Sequence, residues 1–166
     1  MKLFKPKLPP NRSVLFVCTA NVTRSPAAAA LFRKLLENDA ANWRVGSAGV
    51  EAVDGDEPHA IMAVVARRRW NVDLYRHRSR RLDARLLARH RWILVMETRH
   101  RDAILKAFPA LAERVWLLRA FGRNLPGDDV ELPDPTGMEA DDYNRLLVSL
   151  EHELPRVIKF ISQQPE

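Results

Sequence analysis

Apolar residues in this chain gather into short unbroken runs separated by longer stretches with helical spacing. Val14-Leu15-Phe16-Val17 is the first run, and Trp92-Ile93-Leu94-Val95-Met96 is the clearest later one. A run apolar at every position suits a strand buried on both faces, as in a parallel sheet. The pattern predicts strands from Ser13 to Cys18, Trp43 to Ser47, Trp92 to Met96 and Val115 to Leu118. Between them it predicts helices from Ser25 to Asn38, Pro58 to Trp70, Leu82 to Ala88 and Arg99 to Phe108. Gly49 closes the second strand, and Gly122 to Gly137 is a loop rich in Gly, Pro and Asp. A last helix spans Asp141 to Ile161, with Pro155 expected to interrupt or kink it. This alternation implies an α/β fold: a single-domain three-layer sandwich with a four-stranded parallel sheet. No internal repeat or second domain is visible.

Open parallel sheets bind ligands at the carboxyl ends of their strands. There, Cys18 to Ser25 read Cys-Thr-Ala-Asn-Val-Thr-Arg-Ser, and Pro26 then opens an alanine-rich helix. A short strand-to-helix loop can turn several N–H groups inward, and the helix N-terminus adds its positive end. Such a nest holds a dianion without a metal. The phosphate-binding residues are then Thr19, Ala20, Asn21, Val22, Thr23 and Arg24, with Arg24 able to grip two oxygens at once. The same positive field favours the thiolate, making Cys18 a nucleophile. A lone cysteine ending a buried strand is commonly just a small hydrophobe; here the whole string of neighbours overrides that reading.

The chemistry implied is two-step phosphomonoester hydrolysis through a cysteinyl-phosphate. Ser25 can donate to the sulfur, cap the helix, or both. Asn21 suits a left-handed backbone position. A proton source is also needed. Asp134, followed by Pro135, is a candidate in the long loop, and on composition Asp128, Asp129 and Asp141 remain open.

Bulk properties narrow the context. At 166 residues, with 46% hydrophobic and 29% charged residues, the chain fits one ordinary globular domain. Residues 1–12 read as a basic extension with no apolar core of a signal peptide, and 13–166 as the functional domain. A flexible lead-in is expected through Asn11. No apolar stretch approaches the ~20 residues that span a bilayer, so stable membrane insertion is not expected. A single cysteine excludes an intramolecular disulfide and points to the cytoplasm. The net charge is +6, with arginines crowding Arg67 to Arg101. No nucleic-acid motif accompanies them, so a solvated helical surface is the preferred reading, and no nucleic-acid partner is expected. His59, His90, His100 and His152 are scattered without ligand spacing, so neither metal nor cofactor is expected.

The Cys-x5-Arg-Ser string after an N-terminal strand resembles the low-molecular-weight protein tyrosine phosphatase family, bacterial type. Ser47-Ala48-Gly49, His77-Arg78-Ser79-Arg80, Met96-Glu97 and Pro133-Asp134-Pro135 resemble further family segments in the same order. The resemblance implies Cys18, Arg24 and Asp134 as catalytic residues, with Asp134 as general acid. It implies supporting roles for Ser25, Ser47, His77 and Arg80, with Ser47 bonding to the loop asparagine. It implies a phosphotyrosine protein as substrate, with bacterial tyrosine kinases among the candidates.

Departures from the family pattern matter. Ala20 stands where glycine is common. Thr23 stands where many members carry a second cysteine, so an oxidised Cys18 has no neighbour to protect it. Thr136 stands where an aromatic is frequent, and Val50, Glu51 and Ala52 supply none. Related arginine phosphatases carry a threonine where Val22 stands, so Val22 favours a phosphoaryl ester over phosphoarginine. Arsenate reduction would need further redox cysteines. A phosphoarginine phosphatase and a catalytically idle phosphoprotein-binding module are the remaining rivals.

Overall fold

The computed structural model describes residues 8–123 and 130–165. Its sheet has four parallel strands in the order β2-β1-β3-β4. These are β1 (Ser13–Cys18), β2 (Arg44–Gly49), β3 (Trp92–Val95) and β4 (Val115–Leu117). The helices are α1 (Arg24–Leu36), α2 (Ala60–Trp70), α3 (Ala84–Arg89), α4 (Thr98–Ala107) and α5 (Ala140–Ser162).

The unbroken apolar run of β1 follows from its two covered faces. Val14 and Phe16 pack with α1, α2 and α5, while Leu15 and Val17 pack with α3 and α4. Every residue of β1 is buried. Ala27, Ala28 and Ala29 of α1 are at most 1% exposed. Their small side chains let α1 lie close to the sheet, which brings its first turn down onto the end of β1. α2 ends at Asn71 in the left-handed region, φ 50°, a conformation asparagine tolerates.

Two expectations are corrected. Pro155 does not interrupt the last helix: α5 is one helix of 23 residues that runs through it. Pro155 removes the donor to the Glu151 carbonyl, but both residues lie on the exposed face, where water can satisfy that oxygen. The flexible lead-in also fails at Asn11, which is 2% exposed. Its amide donates to the Ile161 carbonyl at 2.9 Å, and its own carbonyl accepts from Trp92 Nε1 at 2.9 Å.

α5 is tied to the segment after β4 by a buried charge. Glu153, 3% exposed, meets Arg123 at 2.6 Å and Arg156 at 2.8 Å. Burial alone would raise the Glu153 pKa; hydrogen bonds and charge from Arg156 and Arg123 outweigh it, so the carboxyl sits below its ordinary value. A depressed folded-state value means stability that is present at neutral pH and lost as pH falls through that value. The arginine side chains are 27% and 31% exposed, so they keep part of their hydration when the partner is lost. Glu153→Gln should therefore cost about 1–2 kcal/mol at pH 7, less than a fully buried pair. In urea unfolding, the gap to the parent protein should narrow below about pH 4 and close in stronger acid.

Candidate active site

The loop between β1 and α1 is held by its carbonyls. The Cys18 and Thr19 carbonyls accept from Val50 and Glu51 N–H at 2.9 Å, and that of Val22 from His59 N–H at 2.8 Å. The Asn21 carbonyl faces His77 Nε2 at 2.7 Å, so that nitrogen carries the proton. With these oxygens drawn outward, the N–H groups of Thr19 to Arg24 make no hydrogen bond among the described residues. Free N–H groups of this kind are what an anion-binding nest requires.

Asn21 fixes the turn. It adopts φ 57°, is fully buried, and bridges both sides of the loop with its amide. Nδ2 donates to Ser25 Oγ at 2.8 Å, and Oδ1 accepts from Arg80 N–H at 2.8 Å. Ser25 Oγ in turn lies 3.0 Å from Cys18 Sγ and 3.2 Å from the Ala48 carbonyl. Ser25 Oγ accepts from Asn21, so its one proton is shared between the Ala48 carbonyl and the sulfur, and a thiolate would draw it to Sγ. Ser25 is not the helix cap: α1 begins at Arg24, with Thr23 in the capping position and no side-chain cap bond.

Gly49 belongs to the same construction. A Cβ there would fall 2.4 Å from the Thr19 carbonyl oxygen. Ala20 needs no such exemption, because its backbone stays out of the left-handed region and its side chain is exposed.

Arg24 is 1% exposed. Nη1 donates to Glu97 Oε2 at 2.5 Å and to the Leu132 carbonyl at 3.0 Å. Nη2 donates to Thr19 Oγ1 and to Asp134 Oδ2, both at 3.2 Å. Nε is buried and has no partner among the described residues. A buried guanidinium donor without an acceptor is costly unless something fills the place it addresses.

Glu97 anchors Arg24 and Arg99 together, the latter at 2.9 Å. Burial would raise its pKa, but hydrogen bonds from Arg24 and Arg99 hold the carboxyl below its ordinary value. Glu97 and His100 also form a reciprocal cap at the start of α4. The Glu97 N–H donates to His100 Nδ1 at 3.1 Å, which leaves the ring proton on Nε2, 2.9 Å from Thr19 Oγ1. Burial, then the charge of Arg24, lowers the His100 pKa to about 4. His100 is therefore a neutral donor at neutral pH.

Asp134 is brought to this cluster by its loop, which docks through Leu132 N–H on the Met96 carbonyl at 2.8 Å. Its Oδ1 accepts from Thr136 N–H at 3.0 Å and Thr136 Oγ1 at 2.7 Å. Burial raises its pKa, but the Thr136 hydroxyl and the Arg24 charge outweigh that, and the net shift is downward. Among the alternatives, Asp141 is exposed in the first turn of α5. Asp128 and Asp129 lie outside the described residues.

Ser47 departs from expectation. No hydrogen bond joins it to Asn21 among the described residues; it lines a separate polar pocket with Arg33, Arg76 and His77. The Arg80 backbone takes the expected place instead, and the exposed Arg80 side chain takes no part. Glu97, Arg99 and His100 were missed as site members. The Glu-x-x-His capping spacing was the available signal.

A family model described as low molecular weight phosphotyrosine protein phosphatase matches residues 13–166. The chain belongs to this family. It is 32% identical over 148 residues to a protein-arginine-phosphatase of Bacillus subtilis (strain 168), covering 88% of this chain and 94% of that protein. It is also 32% identical over 139 residues to the low molecular weight protein-tyrosine-phosphatase Etp of Escherichia coli (strain K12), covering 84% and 87%. The crystal structure of the tyrosine phosphatase Wzb from Escherichia coli K30 with sulphate superposes with a TM-score of 0.79 at 26% identity, covering 90% of this chain and 98% of that one.

For this member of the phosphatase family, the Gly49 contact yields a direct test. Gly49→Ala should displace the Thr19 carbonyl and spoil the nest. Inorganic phosphate affinity, followed by calorimetry, should fall at least about tenfold, since roughly 1.4 kcal/mol of lost binding suffices. Unchanged affinity would show that the loop backbone tolerates the clash.

Proposed function

We propose that this chain hydrolyses phosphotyrosine in proteins through a cysteinyl-phosphate intermediate. The observation that carries the reading is the pairing of Cys18 Sγ with Ser25 Oγ at 3.0 Å beneath a nest of free N–H groups, beside the unpartnered Arg24 Nε. In the first step the Cys18 thiolate attacks phosphorus in line. The S–P bond forms, the P–O ester bond breaks, and the leaving phenolate takes a proton from Asp134. Loop N–H groups and Arg24 Nε stabilise the charge on the equatorial oxygens. Nη2 can join them once the dianion draws it from Asp134. In the second step water gives a proton to the Asp134 carboxylate and its oxygen displaces sulfur, releasing phosphate. Ser25 O–H stabilises the thiolate as both nucleophile and leaving group.

Val22 supports the aryl ester as substrate. Relatives of equal identity carry both activities in their names, protein-arginine-phosphatase and protein-tyrosine-phosphatase, so overall similarity does not choose between them. Val22 is part-exposed in the loop and offers only methyl groups where a hydroxyl would serve a phosphoguanidinium. We extend the reading to a bacterial tyrosine kinase as the phosphoprotein, on resemblance to bacterial members. The lone free Cys18 suits a reducing cytoplasm. Residues 13–166 would form the working domain and 1–12 a basic extension. No helix of the described residues is long and apolar enough to cross a membrane.

Steady-state turnover of matched phosphotyrosine and phosphoarginine peptides, without added metal, tests the reading. Phosphotyrosine should be preferred, and Cys18→Ser should lower kcat by about 10⁴-fold or more. Preference for phosphoarginine would overturn the substrate. Phosphopeptide binding without turnover in the parent protein would favour the binding module.

A further inference from the structure

Asp134 is held at one oxygen and aimed with the other. Oδ1 receives the Thr136 N–H at 3.0 Å and the Thr136 hydroxyl at 2.7 Å, while Oδ2 faces Arg24 Nη2 at 3.2 Å. The backbone contact is an ordinary Asx turn, open to any residue with an N–H. The hydroxyl contact requires serine or threonine. Tyr143, in the first turn of α5, is fully buried and stacked on His59 at 5.2 Å.

We propose that Thr136 is a positioning residue whose hydroxyl holds Asp134 Oδ1 and so aims Oδ2 at the reacting oxygen. The inference rests on the reading of Asp134 as general acid and base. Where many family members place an aromatic wall for the substrate ring, this chain places an anchor for the carboxyl group.

The anchor has opposite effects on the two steps. The first needs Asp134 protonated, and a hydroxyl donating to the carboxylate opposes protonation. The second needs the carboxylate, which the same bond stabilises. The other groups facing Asp134 are Arg24 from α1, Arg99 and neutral His100 from α4, and Tyr143 from α5. A bound phosphate dianion offsets Arg24 and Arg99, but it leaves the Thr136 bond in place. Thr136 therefore remains the local control on the acid while substrate is bound.

The test is the pH profile of kcat with phenyl phosphate, whose poor leaving group makes proton donation matter. Thr136→Val keeps the shape and the N–H but removes the hydroxyl. Its basic limb should move up by about one pH unit. At the same time kcat should fall about tenfold from lost aim. Thr136→Ser should restore both limb and rate. A Thr136→Val profile that overlays the parent's would overturn the proposal. Asp134→Asn separates the two readings: it should lose the basic limb and most turnover of phenyl phosphate. If it does so while Thr136→Val behaves as the parent, only the role of Thr136 falls. If Asp134→Asn turns over phenyl phosphate at the parent rate, the general-acid assignment falls, and the Thr136 proposal with it.

Discussion

Residues Thr19 to Thr23 can point their N–H groups at one place only if their carbonyls point away, and each outward carbonyl then needs a donor. Val50, Glu51, His59 and His77 supply donors to the loop and its entry at Cys18. The reversal itself falls on Asn21, at φ 57°. A non-glycine residue in that region is uncommon, and asparagine is among the few that tolerate it. The amide of Asn21 then serves Ser25 on one side and the Arg80 backbone on the other. Segment 77–80, β2 and the start of α1 are all placed by contact with this one turn. The close approach of Gly49 to the Thr19 carbonyl shows how little space the arrangement leaves.

Burying the cation of Arg24 beside this loop would be prohibitive without compensation. Glu97, Asp134, Thr19 and the Leu132 carbonyl supply it on the Nη side. On the proposed mechanism this makes a clamp already oriented before substrate arrives, with Nε available to an incoming oxyanion. Orientation in advance is what makes such donors effective, because nothing has to reorganise as charge develops. On the same proposal the Arg24–Asp134 pair links the two halves of the chemistry: a dianion that took Arg24 would weaken its hold on the carboxyl and favour the protonated form.

Much of this was legible in the chain. β1 declares itself by an apolar run that alternates between two covered faces, and the Cys18 to Ser25 string follows from local order alone. Helix boundaries fell within a few residues. The unread parts depend on contacts distant in sequence. The Arg24–Glu97 pair spans 73 positions, and the Arg24–Asp134 pair spans 110. Arg99 sits in an arginine-rich stretch whose pattern matches a solvated face, and His100 lacks metal-ligand spacing, so neither declares a site in the sequence. Ser47 and Arg80 exchanged parts because a backbone N–H, which no side-chain pattern reveals, met Asn21. Pro155 does not interrupt α5, because the freed carbonyl lies on the exposed face.

Rapid-quench single turnover of a phosphotyrosine peptide, followed by mass analysis of the Cys18-containing fragment, probes the central chemistry most directly. The geometry predicts a transient phosphoryl adduct on Cys18 that forms and decays at rates matching turnover and is absent in Cys18→Ala. Full turnover with no adduct at Cys18, or turnover retained in Cys18→Ala, would contradict it.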